Sequence, residues 1–187
     1  MKKILCVLLV LVSACSWRSP NSKFYMMDSA NLNEVSARKI NVAVATVKVP
    51  ELLNRAQMVV YDKNSDQVEI MEFDRWGETL PDLLQATIVN DMMAYLPNAY
   101  VKRTYFDSQN MNYNVNVEIN NIKAYKGEKV ILSAWWNITN AKGSIISRGQ
   151  KTYEIATEGD SLQDLVRAQN EAVHLLSKDI AEDLLKR

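Results

Sequence analysis

The sequence predicts a single α/β domain with a mixed β-sheet, a C-terminal antiparallel meander and two main amphipathic helices. Three observations carry this. Residues 42–49 are apolar on both alternate sets, as in a central strand covered on both faces. Residues 113–156 alternate apolar and polar with a period of two, broken by two glycine-containing turns. Residues 80–96 and 161–185 carry apolar side chains at helical spacing.

In chain order, the first fifteen residues come before any fold element. Lys2 and Lys3 precede an unbroken apolar run from Ile4 to Val12, and Val12-Ser-Ala-Cys15 follows as a small-residue cleavage site ending in cysteine. That is the layout of a bacterial secretory signal with a lipobox, in which the Cys15 thiol takes up lipid, palmitate among the acyl chains, before cleavage. Two rival readings are ordinary secretion with cleavage after Ala14 and a retained helix. The nine-residue run spans only about 13 Å, against a bilayer core of roughly 30 Å, which disfavours the retained helix.

Without residues 1–14 the chain has 173 residues, the size of one ordinary domain, and a formal charge of −2. That balance gives no footprint for nucleic acid. Cys6 leaves with the signal and Cys15 carries lipid, so no thiol remains for a disulfide. The expected organisation is a signal peptide over 1–14, a lipidated N-terminus and tether over 15–40, and the α/β domain over 41–187.

Residues 16–41 begin as a polar tether with Pro20, and only Phe24-Tyr-Met-Met27 is apolar enough to dock or form an edge strand. Pro50 ends the 42–49 strand, since proline cannot donate to a ladder. Short strands follow at 57–61 and 67–73, separated by turn residues 62–66. The first helix, 80–96, has Thr79 as its N-cap, with Pro81 and Asp82 in the first turn. Leu83, Leu84, Ile88, Met92 and Tyr95 form its core face, and Pro97 stops it.

A short strand over 100–105 leads into the meander. Its first strand sets Tyr113, Val115, Val117 and Ile119 against Asn114, Asn116, Glu118 and Asn120. Its second sets Val130, Leu132, Ala134, Trp136 and Ile138 against Ile131, Ser133, Trp135, Asn137 and Thr139. The third covers 145–156, and Gly127 and Gly143 supply the turns, where positive φ is easily taken. Asp160 is expected to cap the last helix, with Gln163 closing a capping box. Its stripe is Leu162, Leu165, Val166, Val173, Leu176, Ile180 and Leu184. A crossover through the first helix favours a parallel pair, and two helices cover one sheet face well and the other only in part. The Asn-rich side of the meander is expected to be partly exposed.

Catalytic equipment is thin. His174 is the only histidine, which removes a histidine cluster for a metal and any Cys–His pair. Five scattered glycines make neither a P-loop nor a G-x-G-x-x-G turn, and no G-x-S-x-G elbow is present. No catalytic, metal or cofactor-binding residue is therefore assigned, and the chain is read as a non-enzyme.

Val47-Lys-Val-Pro-Glu-Leu-Leu-Asn-Arg55 with Gln57-Met-Val-Val-Tyr61, and Phe73-Asp-Arg-Trp-Gly-Glu-Thr-Leu80, resemble segments of the ABC-type transport auxiliary lipoproteins, the paraquat-inducible protein C (YmbA-like) group. Gly77 and Thr79 replace the alanine and proline usual in the second segment. Lys129-Val-Ile-Leu-Ser-Ala-Trp135 and Gly143-Ser-Ile-Ile-Ser-Arg148 sit where that family has its hairpin strands. The resemblance implies a fold like anticodon-binding or TolB N-terminal α/β domains. It also implies an auxiliary role beside an MCE-domain periplasmic protein of an intermembrane lipid transport system.

Cys15 as the lipid anchor fits that role, because a diacylglyceryl group exceeds the marginal hold of one acyl chain. Ser16, in place of the aspartate of inner-membrane retention, points to the outer membrane, facing the periplasm. Trp135 and Ile131 are candidate partner contacts, since large apolar groups on a wet face mark interfaces; the rival reading is that the second helix or a neighbouring strand covers them. Arg75 and Trp76 are candidates too, beside the plainer reading in which Trp76 plugs the core and Arg75 pairs locally. A homo-oligomer is also allowed. The alternative function is a lipoprotein activator or assembly factor for a cell-wall synthase or an outer-membrane machine; a lipid carrier with its own cavity and a hydrolase rank lower.

Overall fold

The computed structural model describes residues 20–29, 38–62, 64–65, 67–104 and 110–186. The signal segment and Cys15 lie outside the described residues. Ten elements follow one another: β1 (Lys23–Tyr25), β2 (Asn41–Ala45), β3 (Gln57–Tyr61), β4 (Val68–Trp76), α1 (Leu80–Tyr95), β5 (Tyr100–Thr104), β6 (Tyr113–Tyr125), β7 (Lys129–Asn140), β8 (Ile145–Ala156) and α2 (Leu162–Leu185). A single 3-10 turn, Glu51–Leu53, sits between β2 and β3.

All eight strands form one mixed, open sheet. The 13-residue β6 is its spine. One edge of β6 runs antiparallel to β7, which in turn pairs with β8. The other edge is shared. Its first residues pair in parallel with β2, Lys48 bridges to Glu118, and Tyr125 meets Tyr61 of β3 in parallel. Beyond β2 lies β5, parallel to it. Beyond β3 lies β4, antiparallel, and β1 adds in parallel to the end of β4. The predicted helical crossover is thus the β2–β5 pair, joined through α1.

The strand expected over 42–49 stops as a ladder at Ala45, where its β5 partner ends at Thr104. The chain keeps to the β6 edge beyond that point: Lys48 N–H donates to the Val117 carbonyl at 3.1 Å, and the Lys48 carbonyl accepts from Ile119 N–H at 2.8 Å. Val42, Ala43, Val44 and Val47 are buried, as a centrally placed strand requires. Residues 23–25, within the stretch read as tether, belong to the sheet as β1.

Both helices lie on the same face of the sheet, α1 over β2 and β5, α2 over β6, β7 and β8, and they pack on each other. Thr79 caps α1, its hydroxyl accepting from Asp82 N–H at 3.3 Å, with Pro81 in the first turn. Ser161, not Asp160, caps α2, and Asp164, not Gln163, closes the box. The reciprocal bonds are both 3.1 Å, Ser161 N–H to the Asp164 carboxylate and Asp164 N–H to Ser161 Oγ. The helix starts one residue later than expected, so the third helical position is Asp164, whose short carboxylate still reaches back to the cap.

Between helices and sheet lies one core. β7 contributes Val130, Leu132, Ala134, Trp136 and Ile138, and α2 contributes Leu165, Val166, Val173, Leu176, Ile180 and Leu184. On β6 the inward set is Val115, Val117 and Ile119, then Ile122 and Ala124, because a bulge between Ile119 and Asn121 shifts the alternation by one. Gly127 and Gly143 hold φ of 69° and 79° in the two turns, where a side chain would be strained.

Polar bonds cross the core at fixed points. His174 Nδ1 lies 2.7 Å from Asp91 in the α1–α2 seam. Trp136 Nε1 donates to Asp183 at 3.1 Å and the Tyr153 hydroxyl to Asp179 at 2.6 Å, tying α2 to β7 and β8. Burial, then the Asp179 bond, pushes the Tyr153 phenol well above the ordinary tyrosine range. Tyr95 is pushed up to about 12 by burial, then by Asp91; Tyr25 also reaches about 12, by burial and then its Asp74 bond.

These shifts have one sign. Unfolded tyrosines lose their protons near pH 10, as in free peptides, while the native phenols hold theirs to higher pH. The native state then binds more protons, so stability present below pH 10 is lost as pH rises towards about 12. Urea midpoints are expected to fall across this window, and less steeply in Tyr153→Phe. An identical slope in the variant would remove Tyr153 from the effect.

Candidate functional site

The face of the sheet opposite the helices is left uncovered by either of them. Period-two alternation sends every second residue of β7 there: Ile131, Ser133, Trp135, Asn137 and Thr139. The strand register then fixes rows across β6, β7 and β8. Trp135 lies between Glu118 and Gln150, Asn137 between Asn116 and Arg148, and Ile131 between Lys123 and Glu154.

Trp135 is 37% exposed, a large indole surface on a polar sheet face. A hollow of about 250 Å³ opens on its β6 side, lined by Thr46, Lys48, Asn116, Glu118 and Asn137. A second, of about 360 Å³, lies on its β8 side beside Arg148 and Gln150. The ring therefore stands between two depressions, each lined by both polar and apolar groups. Around it the face is held in place by cross-strand bonds, Asn116 Nδ2 to Asn137 Oδ1 at 3.1 Å and Ser133 to Thr152 at 2.7 Å.

Further along, Tyr61 and Tyr125 meet with ring centroids 5.8 Å apart, and Lys123 Nζ lies 6.0 Å from the Tyr61 ring. The buried Oδ1 atoms of Asn114 and Asn121, both on β6, have no hydrogen-bond partner among the described residues.

The four candidate contacts do not form one patch. Trp135 and Ile131 share the open face of β7, four residues apart. Arg75 and Trp76 lie on β4, separated from β7 by β3 and β6. Trp76 is 6% exposed and packs in the core, and a hollow of about 390 Å³ beside it is lined by Arg55, Glu78 and Thr79. Arg75 points away from the core and is held locally, its Nε donating to the Glu72 carbonyl at 3.1 Å and its Nη2 lying 3.5 Å from the Glu72 carboxylate. Cys15 lies outside the described residues.

Gly77, where the family motif usually has alanine, donates its N–H to the Tyr25 carbonyl at 2.8 Å, and a Cβ there would run into the Met26 sulfur. The substitution thus makes room for the chain leaving β1. Sequence reasoning missed the Asp91–His174 pair, whose signal was an acid on the apolar stripe of α1, one residue from Met92.

Among the described residues no group of three or more His, Cys, Asp or Glu side chains is placed to hold a metal ion, and no helix is long and apolar enough to cross a membrane. Residues 25–181 match a family described as the ABC-type transport auxiliary lipoprotein component. No curated protein matches the chain. Among solved structures it is similar to an uncharacterized protein at 19% identity and TM-score 0.74, covering 88% of this chain and 99% of that one. It is also similar to a Xanthomonas campestris protein at 8% identity and TM-score 0.71, covering 86% and 93%. At such identities the likeness is one of fold.

Proposed function

The chain belongs to the ABC-type transport auxiliary lipoprotein family, and from that premise we propose that it is a non-catalytic subunit of an MCE-type intermembrane lipid transport system. In this reading lipid on Cys15 anchors it in the outer membrane, facing the periplasm, and the open face of the sheet docks an MCE-domain protein. The observation that carries the docking is Trp135, an indole left 37% exposed between two shallow hollows on a face neither helix covers. Tryptophan in such a setting is the residue type that dominates interface energetics. His174, the one imidazole of the chain, is engaged with Asp91 between the helices, which supports a binding role over a catalytic one.

The test is recovery of the full chain on an immobilised periplasmic MCE-domain protein. Trp135→Ala is expected to weaken recovery about 30-fold, the equivalent of roughly 2 kcal/mol at a hot spot, without lowering the melting temperature. Unchanged recovery would take Trp135 out of the interface, and failure of the wild-type chain to bind would overturn the partner.

A further inference from the structure

The sheet leaves one edge in an unusual state. β4 pairs with β3 along Val68–Met71 and again at Arg75, and with β1 only at Asp74–Trp76, so residues 68–71 have a strand on the β3 side alone among the described residues. The hydrogen-bond phase shows which backbone groups face outward. Asp62 N–H donates to the Gln67 carbonyl at 3.0 Å, so Asp62 and Gln67 form a hydrogen-bonded pair. In an antiparallel ladder such pairs alternate with non-bonded ones. Glu69 and Met71 therefore bond inward to β3, and Val68 and Ile70 aim both N–H and C=O at the free edge.

Their side chains are open as well, Val68 at 37% and Ile70 at 39% exposed. Natural sheets blunt free edges with charges, proline or a covering element. The long β8 edge follows that rule with Arg148, Lys151 and Glu154, whereas β4 offers branched apolar residues. The same edge already takes a parallel strand where β1 joins it, with Gly77 N–H donating to the Tyr25 carbonyl. Charge along β4 is one-sided: Glu69, Glu72 and Asp74 face a single cation, Arg75, which pairs with Glu72. Beside Val68 and Glu69 a groove of about 530 Å³ reaches Tyr61 and Asp62.

We propose that the outer edge of β4, Val68 to Glu72, is a strand-addition site for an extended basic segment of a partner protein. Backbone bonds to Val68 and Ile70 supply the pairing. Apolar residues of the incoming strand lie over the Val68 and Ile70 side chains, and its alternate lysines or arginines fall on the other face beside Glu69, with Glu72 adding to the negative field at the end of the site. The site is separate from the Trp135 face, so it stands or falls independently of that docking.

The probe is a fluorescent (Lys-Val)4 peptide with the full chain, read by anisotropy and by amide exchange over residues 67–73. Binding is expected to slow exchange at Val68 and Ile70 at least tenfold, while (Glu-Val)4 leaves it unchanged. Ile70→Pro removes an outward donor at an edge position that tolerates proline, and is expected to weaken binding at least tenfold. Should that variant fold poorly, Glu69→Lys/Glu72→Lys gives the same loss through charge alone. Equal binding of both peptides, or of the charge-reversed variant, overturns the proposal. So does protection of Val68 and Ile70 without peptide: if it fades on dilution a second copy holds the edge, and if it persists the chain covers the edge itself.

Discussion

Gly149→Ala is expected to destabilise the chain by about 3 kcal/mol, at the upper end of overpacking costs, and to lower the melting temperature by about 6–12 °C for a chain of this size. Gly149 lies directly across from Trp136 in the β7–β8 ladder. The indole lies over the glycine, and a Cβ added there would overlap the ring atoms of Trp136. The clash falls on a rigid group, so it cannot be relieved by a small side-chain shift. Trp136 is 4% exposed and donates Nε1–H to Asp183 on α2, so swinging the ring away breaks that bond and opens the core under the helix. The coupling is testable by a cycle with Trp136→Leu. That change is costly in itself, but in its background Gly149→Ala should cost under about 1 kcal/mol, because residues in contact are not additive. Equal costs in both backgrounds would mean that the indole is not what demands glycine.

Much of the architecture was legible because its signals are periodic and local. The meander follows from alternation in the first half of β6 and in β7, with glycine turns after each strand, and the open face from two helices being too few to cover both faces of the sheet. Alternation set Trp135 opposite Trp136, while its exposure on the uncovered face came from the structure. What lay beyond the sequence was long-range or a matter of phase. The bulge at Asn120 shifts the facing of the rest of β6; its trace is the doubled polar step in Ile119-Asn-Asn-Ile122, which sequence alone does not tell from the end of the strand. Sharing of one β6 edge between β2 and β3 joins segments more than fifty residues apart. Arg75 and Trp76 follow the plainer of the two sequence readings, a core indole beside a locally paired guanidinium, because adjacent strand residues face opposite ways. The value of the β4 edge depends on which amides β3 leaves unused, and only the ladder phase tells that.

His174→Ala is expected to cost on the order of 3 kcal/mol, the lower end of what breaking a buried pair costs. Asp91 is fully buried in α1, and its partner ring on α2 is only 12% exposed, so water cannot stand in for the imidazole without opening the helix seam. An ionised Asp91 can only accept, which requires the tautomer with Nδ1–H as donor across the 2.7 Å contact. Losing it removes a charge-assisted bond where the surrounding dielectric makes such bonds strong, and leaves the Asp91 oxygen poorly solvated. The contrast that isolates burial is Arg167→Ala. Arg167 holds Asp164 at 2.9 Å with similar geometry, but its side chain is 60% exposed, and its removal is expected to shift stability by no more than about 0.5 kcal/mol. His174→Gln, which keeps a donor of comparable reach, should recover part of the loss. Urea denaturation of the three variants decides it. Similar losses for His174→Ala and Arg167→Ala would mean that the seam admits water. The Asp91–His174 bond would then set the angle of the two helices without contributing much to holding them together.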